Sequence, residues 1–345
     1  MSVSRTPFGT TRDGQAVELI TLRCATMEAE ILTFGATVRA LRVPDRNGSS
    51  VDVVLGYNSV TAYETHGGYL GALVGRYANR IANANCLIDG ERVTLEANEG
   101  VKQLHGGKVG FSHRVFDAEI IGENAVRLRY TAANGEGGYP GTLTLCATYT
   151  LTENALVLRY EAESDKPTYC NITNHSYFNL NGYGDILGHK LQIFAQYFTP
   201  VDENSIPTAM TTPVAGTAFD FTEEKAVGRD AFTDEEQFRL TSGYDHNFVL
   251  SPAQGLRRAA KLTGDKSGIV METWTQKPGV QLYCGNFLDA DSDTKSGKPY
   301  QKHEALCLET QFFPDSPNHP EWGDIVLRPG KRYDYTTEYR FSILR

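Results

Sequence analysis

An alternation of apolar and polar side chains with a period of two constrains the fold of this chain more than any other feature. Within residues 142–151 the apolar positions are Leu143, Leu145, Ala147, Tyr149 and Leu151, with threonines and one cysteine between them. After a turn at residues 152–154, the alternation resumes through residues 156–162. Because successive side chains of a strand point to opposite faces, this pattern predicts an antiparallel hairpin with one face in a core.

Similar runs recur along the chain, separated by turn signals. They lie at residues 17–23, 28–33, 51–55, 126–130, 191–198, 269–274, 280–287, 305–313 and 333–343. Helical periodicity is confined to residues 222–227 and 234–240, which allow only short helices. No linker rich in Pro, Gly or Ser divides the chain, and all-β chains longer than ~200 residues often form one unit. We therefore predict an all-β fold: a single-domain antiparallel β-sandwich spanning residues 1–345, with few short helices.

Charge and composition narrow the partners and the compartment. The formal net charge is −9, whereas nucleic-acid-binding proteins normally carry a basic surface. No apolar run approaches the ~20 residues that cross a bilayer, and residues 1–14 lack the apolar core of a signal peptide. The six cysteines are scattered singly, which fits free thiols of a reducing compartment better than three disulfides. We expect a cytoplasmic monomer or homodimer with no nucleic-acid or membrane partner.

Motifs for cofactors and metals are missing from the sequence. No glycine-rich dinucleotide loop opens a helix, and there is no P-loop, no GxSxG and no HExxH motif. The eight histidines show no paired spacing typical of metal ligands. We expect neither a cofactor nor a metal.

One polar segment has the composition of a ligand-binding surface. If residues 171–179 form a strand, one face carries Asn171, Thr173, His175, Tyr177 and Asn179. A solvated face is the simpler alternative, but it would normally include Lys or Glu. Hydrogen-bonding side chains of this kind favour a cleft for a polyhydroxylated ligand.

Three other segments carry groups that could act on a ligand or bind it. Glu309 lies within the apolar run 305–313, so it is either a rim residue or a partly desolvated general base. Asn79, Arg80 and His105 offer hydrogen-bond donors, although a histidine beside two glycines is more often a turn residue. Asp245 follows a Gly-Tyr turn, where a turn-stabilising carboxylate is the simpler interpretation.

Together these segments resemble the aldose 1-epimerase (galactose mutarotase) family. The matching motifs are NRI at 79–81, LHGG at 104–107, TNHSYFNL at 173–180, DHNF at 245–248, PGVQLYCGNF at 278–287 and LETQ at 308–311. The resemblance implies an antiparallel β-sandwich with a sugar cleft on one side. It also implies a cofactor-free enzyme that interconverts the α and β anomers of a free aldohexose such as galactose or glucose.

The resemblance further implies roles for individual residues. Glu309 corresponds to the general base and His175 to the general acid that protonates the ring oxygen. The groups that correspond to sugar-binding residues are Asn79, Arg80, His105, Asp245 and Gln281. We also expect Asp245 and Glu309 to raise the pKa of His175 toward neutrality or above, which would keep it protonated.

Three other activities are compatible with parts of this pattern. A hexose-6-phosphate 1-epimerase on a similar sandwich would need a basic cluster at the C6 end of the sugar, and we can identify none. A non-catalytic carbohydrate-binding sandwich would keep the polar cleft without needing Glu309 and His175 together. A glycosidase needs two opposed carboxyl groups, which Asp245 and Glu309 could supply.

Overall fold

Antiparallel strands make up most of the computed structural model, which describes residues 1–289 and 292–344. The strands, in chain order, are Ser2–Thr10 (β1), Ala16–Arg23 (β2), Glu28–Leu32 (β3), Thr37–Pro44 (β4), Ser50–Asp52 (β5), Leu73–Val74 (β6), Arg80–Ile81 (β7), Asn85–Ile88 (β8), Glu91–Thr94 (β9), Gln103–Leu104 (β10), Asp117–Ile121 (β11), Ala125–Ala132 (β12), Leu143–Leu151 (β13), Ala155–Ser164 (β14), Thr168–Tyr169 (β15), Thr173–Asn174 (β16), Lys190–Ile193 (β17), Ala195–Thr199 (β18), Thr212–Pro213 (β19), Lys225–Ala226 (β20), Asp245–Leu250 (β21), Arg257–Thr263 (β22), Ile269–Thr275 (β23), Gly279–Tyr283 (β24), Cys307–Gln311 (β25), Val326–Leu327 (β26) and Tyr333–Ile343 (β27). The α-helices are Val60–Thr65 (α1) and Glu236–Thr241 (α2), and single 3₁₀ turns occupy Ala82–Ala84, Phe111–His113, Glu136–Gly138, Val227–Arg229, Ser316–Asn318 and Pro320–Trp322.

Three sheets form the sandwich. The largest has nine strands in the order β11-β12-β13-β14-β27-β23-β22-β17-β20. Two five-stranded sheets have the orders β1-β2-β3-β4-β5 and β19-β18-β21-β24-β25. One continuous cluster of buried side chains draws on all three sheets, including Leu158 from the first, Ile31 from the second and Leu308 from the third. The predicted all-β antiparallel sandwich is therefore confirmed.

The hairpin predicted from the alternation is present as β13 and β14. The two strands pair antiparallel, from Leu143 opposite Ser164 to Leu151 opposite Leu156. In β13 every second residue is buried and the residues between them are half-buried. Full burial of one Leu side chain stabilises the fold by roughly 1.5–3 kcal/mol. Burial of the apolar side chains therefore decides which face of the hairpin packs against the core.

Long-range pairing overrides the local pattern in two places. The helix predicted at residues 222–227 is wrong: Lys225–Ala226 forms β20 and pairs with β17 at the edge of the nine-stranded sheet. The run at residues 191–198 divides into β17 and β18, which belong to different sheets. Six residues of weak helical pattern cannot compete with a strand pairing that also buries Lys225.

Helices are few, as predicted. The second predicted helix, at residues 234–240, is present as α2 at Glu236–Thr241. The first helix, α1, was not predicted, although Ser59 caps it by accepting the Ala62 N–H. Across the described residues, no helix has the length and apolarity to span a membrane. The cysteines are free thiols.

Candidate active site

The polar face of the third sheet positions the carboxylates of the candidate site. Glu309 lies opposite Gln281 in the pairing of β24 with β25, and Asp245 lies opposite Tyr283 in the pairing of β21 with β24. Registered side chains of neighbouring antiparallel strands share a face. Leu308 points the other way, into the core. A period-two strand thus explains why a carboxylate is embedded in an apolar run.

Residues 171–179 differ from the predicted strand. Only Thr173–Asn174 pairs as a strand, with β6, and the whole segment is buried. The side chains of Asn171 and Asn179 bond to backbone groups: Asn171 Oδ1 accepts the Phe312 N–H at 2.9 Å, and Asn179 Nδ2 donates to the Glu304 carbonyl at 2.7 Å. An irregular buried backbone needs such partners. The predicted shared polar face is therefore wrong.

From this segment, His175 and Tyr177 reach a polar cavity of about 190 Å³. Six of the residues that the resemblance implies line it, and Gln281 does not. The lining residues are Gly68, Tyr69, Asn79, Arg80, Glu99, Leu104, His105, His175, Tyr177, Asp245, Tyr283, Phe287 and Glu309.

His175 and Glu309 form a close buried pair. Nε2 of His175 lies 3.7 Å from Oε2 of Glu309, and their side chains are 6% and 3% exposed. This Oε2 atom has no hydrogen-bond partner among the described residues. On the other side of the imidazole, Nδ1 lies 3.5 Å from Sγ of Cys307, and the Tyr177 ring stacks on it at 5.1 Å. An unpartnered buried carboxylate oxygen is costly, and a ligand hydroxyl group would relieve that cost.

Burial decides the pKa values of this pair, contrary to our expectation for the histidine. Desolvation lowers the pKa of His175 to about 4, so the predicted rise is wrong. Burial first, and the charge of Asp245 second, hold the pKa of Glu309 well above its usual value, while Arg80 opposes the rise. Between the two pKa values the pair therefore holds one proton.

A chain of polar contacts holds the cationic side of the cavity. Arg80 donates to both oxygens of Glu99, from Nε at 2.7 Å and from Nη2 at 3.0 Å, and its Nη1 lies 3.5 Å from Oδ2 of Asp245. Burial lowers the pKa of Arg80, but Asp245 and Glu99 outweigh that effect, so the guanidinium stays charged. These contacts fix the direction in which the guanidinium faces the cavity.

Gln281 extends this series of polar contacts behind the cavity. Its Nε2 donates to Oδ1 of Asp245 at 2.7 Å, and its Oε1 accepts from Gln311 at 3.1 Å. Both ends of the amide are thus engaged by protein groups. In this structure Gln281 orients Asp245 instead of facing the cavity.

His105 lies on the cavity wall beside the His175–Glu309 pair. Its ring is 5.2 Å from that of His175 and 4.7 Å from that of Tyr69. Burial, and then the charges of His175 and Arg80, lower the pKa of His105 well below its usual value. Potential metal-ligand atoms of His105, His175 and Glu309 lie within 4.8 Å of one another.

Tyr69 and Glu99 are cavity residues that the sequence analysis did not identify. Glu99 acts through its ion pair with Arg80, and no local pattern links the two positions. Tyr69 has a φ of 55° and follows two glycines. A Gly-Gly-aromatic segment was the available signal, but such segments are also ordinary turns.

Comparisons with known proteins match the chain to one family and to several relatives. The profile of the family described as Aldose 1-epimerase matches residues 18–340. The chain is 42% identical to galactose mutarotase from Rattus norvegicus over 346 residues, covering 99% of both chains. It is 41% identical to aldose 1-epimerase from Escherichia coli K12, covering 95% of this chain and 96% of that protein. Galactose 1-epimerase from Lactobacillus acidophilus superposes with a TM-score of 0.88 at 29% identity, covering 100% of both chains.

Proposed function

The chain belongs to the aldose 1-epimerase family and is an aldose 1-epimerase, and on that premise we propose that Glu309 and His175 transfer the protons of anomerisation. The substrate is a free aldohexose, galactose or glucose. The observation that carries the proposal is the buried His175–Glu309 pair, 3.7 Å apart, with an unpartnered carboxylate oxygen beside a polar cavity.

The reaction needs one base and one acid around a single carbon. Glu309 takes the proton of the C1 hydroxyl as the bond between C1 and the ring oxygen breaks, and His175 gives its Nε2 proton to that oxygen. The open aldehyde turns about the C1–C2 bond. Ring closure on the other face of the carbonyl then reverses both transfers. No electrons leave the sugar, so the chemistry needs no redox partner.

The pair holds one proton throughout this cycle. Ring opening moves one proton from His175 to the sugar and one from the sugar to Glu309. In the free cavity burial favours the neutral form, with the proton on Glu309. The reactive form, with His175 charged and Glu309 ionised, is reached by moving that proton within the pair. Each group contributes typically ~10²–10⁴-fold to the rate.

The wall of the cavity holds the sugar in this proposal. Asn79, Arg80, His105 and Asp245 line it and hydrogen-bond hydroxyl groups and the ring oxygen. Gln281 acts one step behind, because its amide orients Asp245. A hexose offers several donors and acceptors, and a polar cavity with charged groups matches them.

The cavity favours a free sugar over a sugar phosphate. Among the described lining residues, Arg80 is the only Arg or Lys. Glu99 and Asp245 already balance its charge. A phosphate group in this cavity would therefore find no unbalanced positive charge among these residues. A purely sugar-binding role would leave unexplained the cost of burying Glu309 and His175 side by side.

Polarimetry tests the substrate directly. With freshly dissolved α-D-galactose or α-D-glucose, we expect the protein to accelerate the approach to the equilibrium rotation in proportion to its concentration. Heat-denatured protein is the control for traces of acid and base. Acceleration with glucose 6-phosphate but with neither free sugar would contradict the proposal.

Chelation tests whether side chains alone move the protons. We expect EDTA and added nucleotides to leave the rate unchanged, because neither takes part in the two transfers. If activity is lost on chelation and restored by one specific divalent ion, the mechanism moves to a metal site.

We also propose that the chain acts as one domain, as a monomer or homodimer, in the cytoplasm and without a nucleic-acid partner. The candidate site draws on residues from Asn79 to Glu309, which supports a single unit. The free cysteines suit a reducing compartment, and the net charge of −9 disfavours phosphate backbones as partners.

A further inference from the structure

Asn79 and His105, two buried residues of the cavity wall, hold each other by reciprocal hydrogen bonds. The N–H of His105 donates to the Asn79 carbonyl at 3.0 Å, and the N–H of Asn79 donates to Nδ1 of His105 at 3.1 Å. Both residues adopt the left-handed backbone conformation, with φ values of 64° for Asn79 and 52° for His105. We propose that the left-handed backbone of Asn79 is a positioning device that locks His105 as a neutral imidazole with its proton on Nε2. His105 is then a fixed hydrogen-bond donor to the sugar. This part of the proposal rests on the proposed function.

The direction of the Asn79 bond decides the tautomer. A backbone N–H can only donate, so Nδ1 of His105 must present its lone pair. The alternative neutral tautomer and the imidazolium would each place two hydrogens in the 3.1 Å gap. The neutral form with Nε2–H is the remaining state. The groups around the ring are Tyr69, His175 and Arg80, with Glu309 within 4.8 Å of its ligand atoms.

The turn that carries His105 is held on several sides, so its backbone cannot easily move away from Asn79. Oδ1 of Asn98 accepts the Leu104 N–H at 2.7 Å, and Nδ2 donates to the Leu104 carbonyl at 3.0 Å. The next residue, Gly106, has a φ of 91° and packs so closely that a Cβ there would lie 2.0 Å from the Gly75 carbonyl oxygen. Backbone packed against backbone leaves no room for a shift.

This tautomer separates the chemistry of the two histidines. Nε2 of His175 faces Glu309 and exchanges a proton, whereas Nε2 of His105 carries a proton that it keeps. A metal ligand must present a lone pair and normally donates its other ring N–H to an acceptor. His105 accepts at that position instead. The cluster of His105, His175 and Glu309 therefore does not fit a metal, despite the short distances between its ligand atoms.

Nitrogen NMR of the free protein tests the proposal. In long-range ¹H–¹⁵N spectra of the ring nitrogens, the two signals are assigned from their loss in His105→Asn and His175→Asn proteins. We expect His105 to show an unprotonated Nδ1 and a protonated Nε2 at every pH from about 5 to 8. A protonated Nδ1, averaged signals or protonation within that range would overturn the proposal. Polarimetry of the same samples reports on the proposed function separately.

A matched pair of variants tests the part played by the backbone. Asn79→Gly and Asn79→Ala both remove the side chain that accepts the Arg80 N–H. They differ in backbone, because Gly adopts positive φ freely and Ala does not. We expect Asn79→Gly to keep the His105 tautomer and Asn79→Ala to show protonation of Nδ1 or averaged signals. Identical spectra for the two variants would overturn the role of the left-handed conformation.

Discussion

Glu309→Gln is expected to lower the rate of anomerisation at least ~100-fold, the lower limit of a typical general-base contribution. The amide keeps the size and shape of the side chain, but it cannot take the C1 hydroxyl proton. The loss should fall on kcat, with KM changed little, because the sugar-binding groups stay in place. Polarimetry over a range of galactose concentrations measures both constants.

Glu99→Gln is the matched control for this substitution. Glu99 lines the same cavity, but its carboxylate is bound to Arg80 through two hydrogen bonds. An amide can still accept one of them, so we expect a smaller effect that falls mainly on KM. Equal losses in kcat from the two substitutions, or near wild-type turnover of Glu309→Gln, would end the assignment of Glu309 as the base.

His175→Asn is expected to cause a loss of similar size and to change the pH dependence. In the wild-type protein the rate requires one proton on the pair, so the profile should be bell-shaped. At low pH the pair gains a second proton, near the lowered pKa of His175 at about 4. At high pH it loses its last proton, at the raised pKa of Glu309. Burial thus reverses the order in which the two groups would titrate in water.

Without His175, Glu309 titrates alone. Its ionised form is the base, so the residual rate should rise with pH through the pKa of Glu309 and should no longer fall at high pH. His105→Asn is the control: activity should weaken because a hydrogen-bond donor is lost, while the basic limb stays. A basic limb that disappears with His105 and persists without His175 would show that the two histidines were assigned the wrong way round.

The sequence alone determined the class of fold and most of the residues of the cavity. Alternation with a period of two sets which face of each strand is buried, and it operates between neighbouring residues, so it can be recognised without a structure. The same rule explains Glu309: Leu306 and Leu308 of the same run point to the opposite face, into the core. The motifs that resemble the aldose 1-epimerase family contain ten of the thirteen residues that line the cavity, including six with implied roles.

Only the tertiary structure decided how these residues work together. Pairing between distant strands made residues 225–226 a strand, and the irregular backbone around His175 made Asn171 and Asn179 structural groups. The tertiary structure also placed Gln281 behind Asp245 and brought Glu99 into contact with Arg80. The pKa of His175 depends on how much water the fold removes, which no local pattern records. Burial, register and hydrogen-bond direction arise from segments far apart in the chain, and they come into existence only when the sheets have packed.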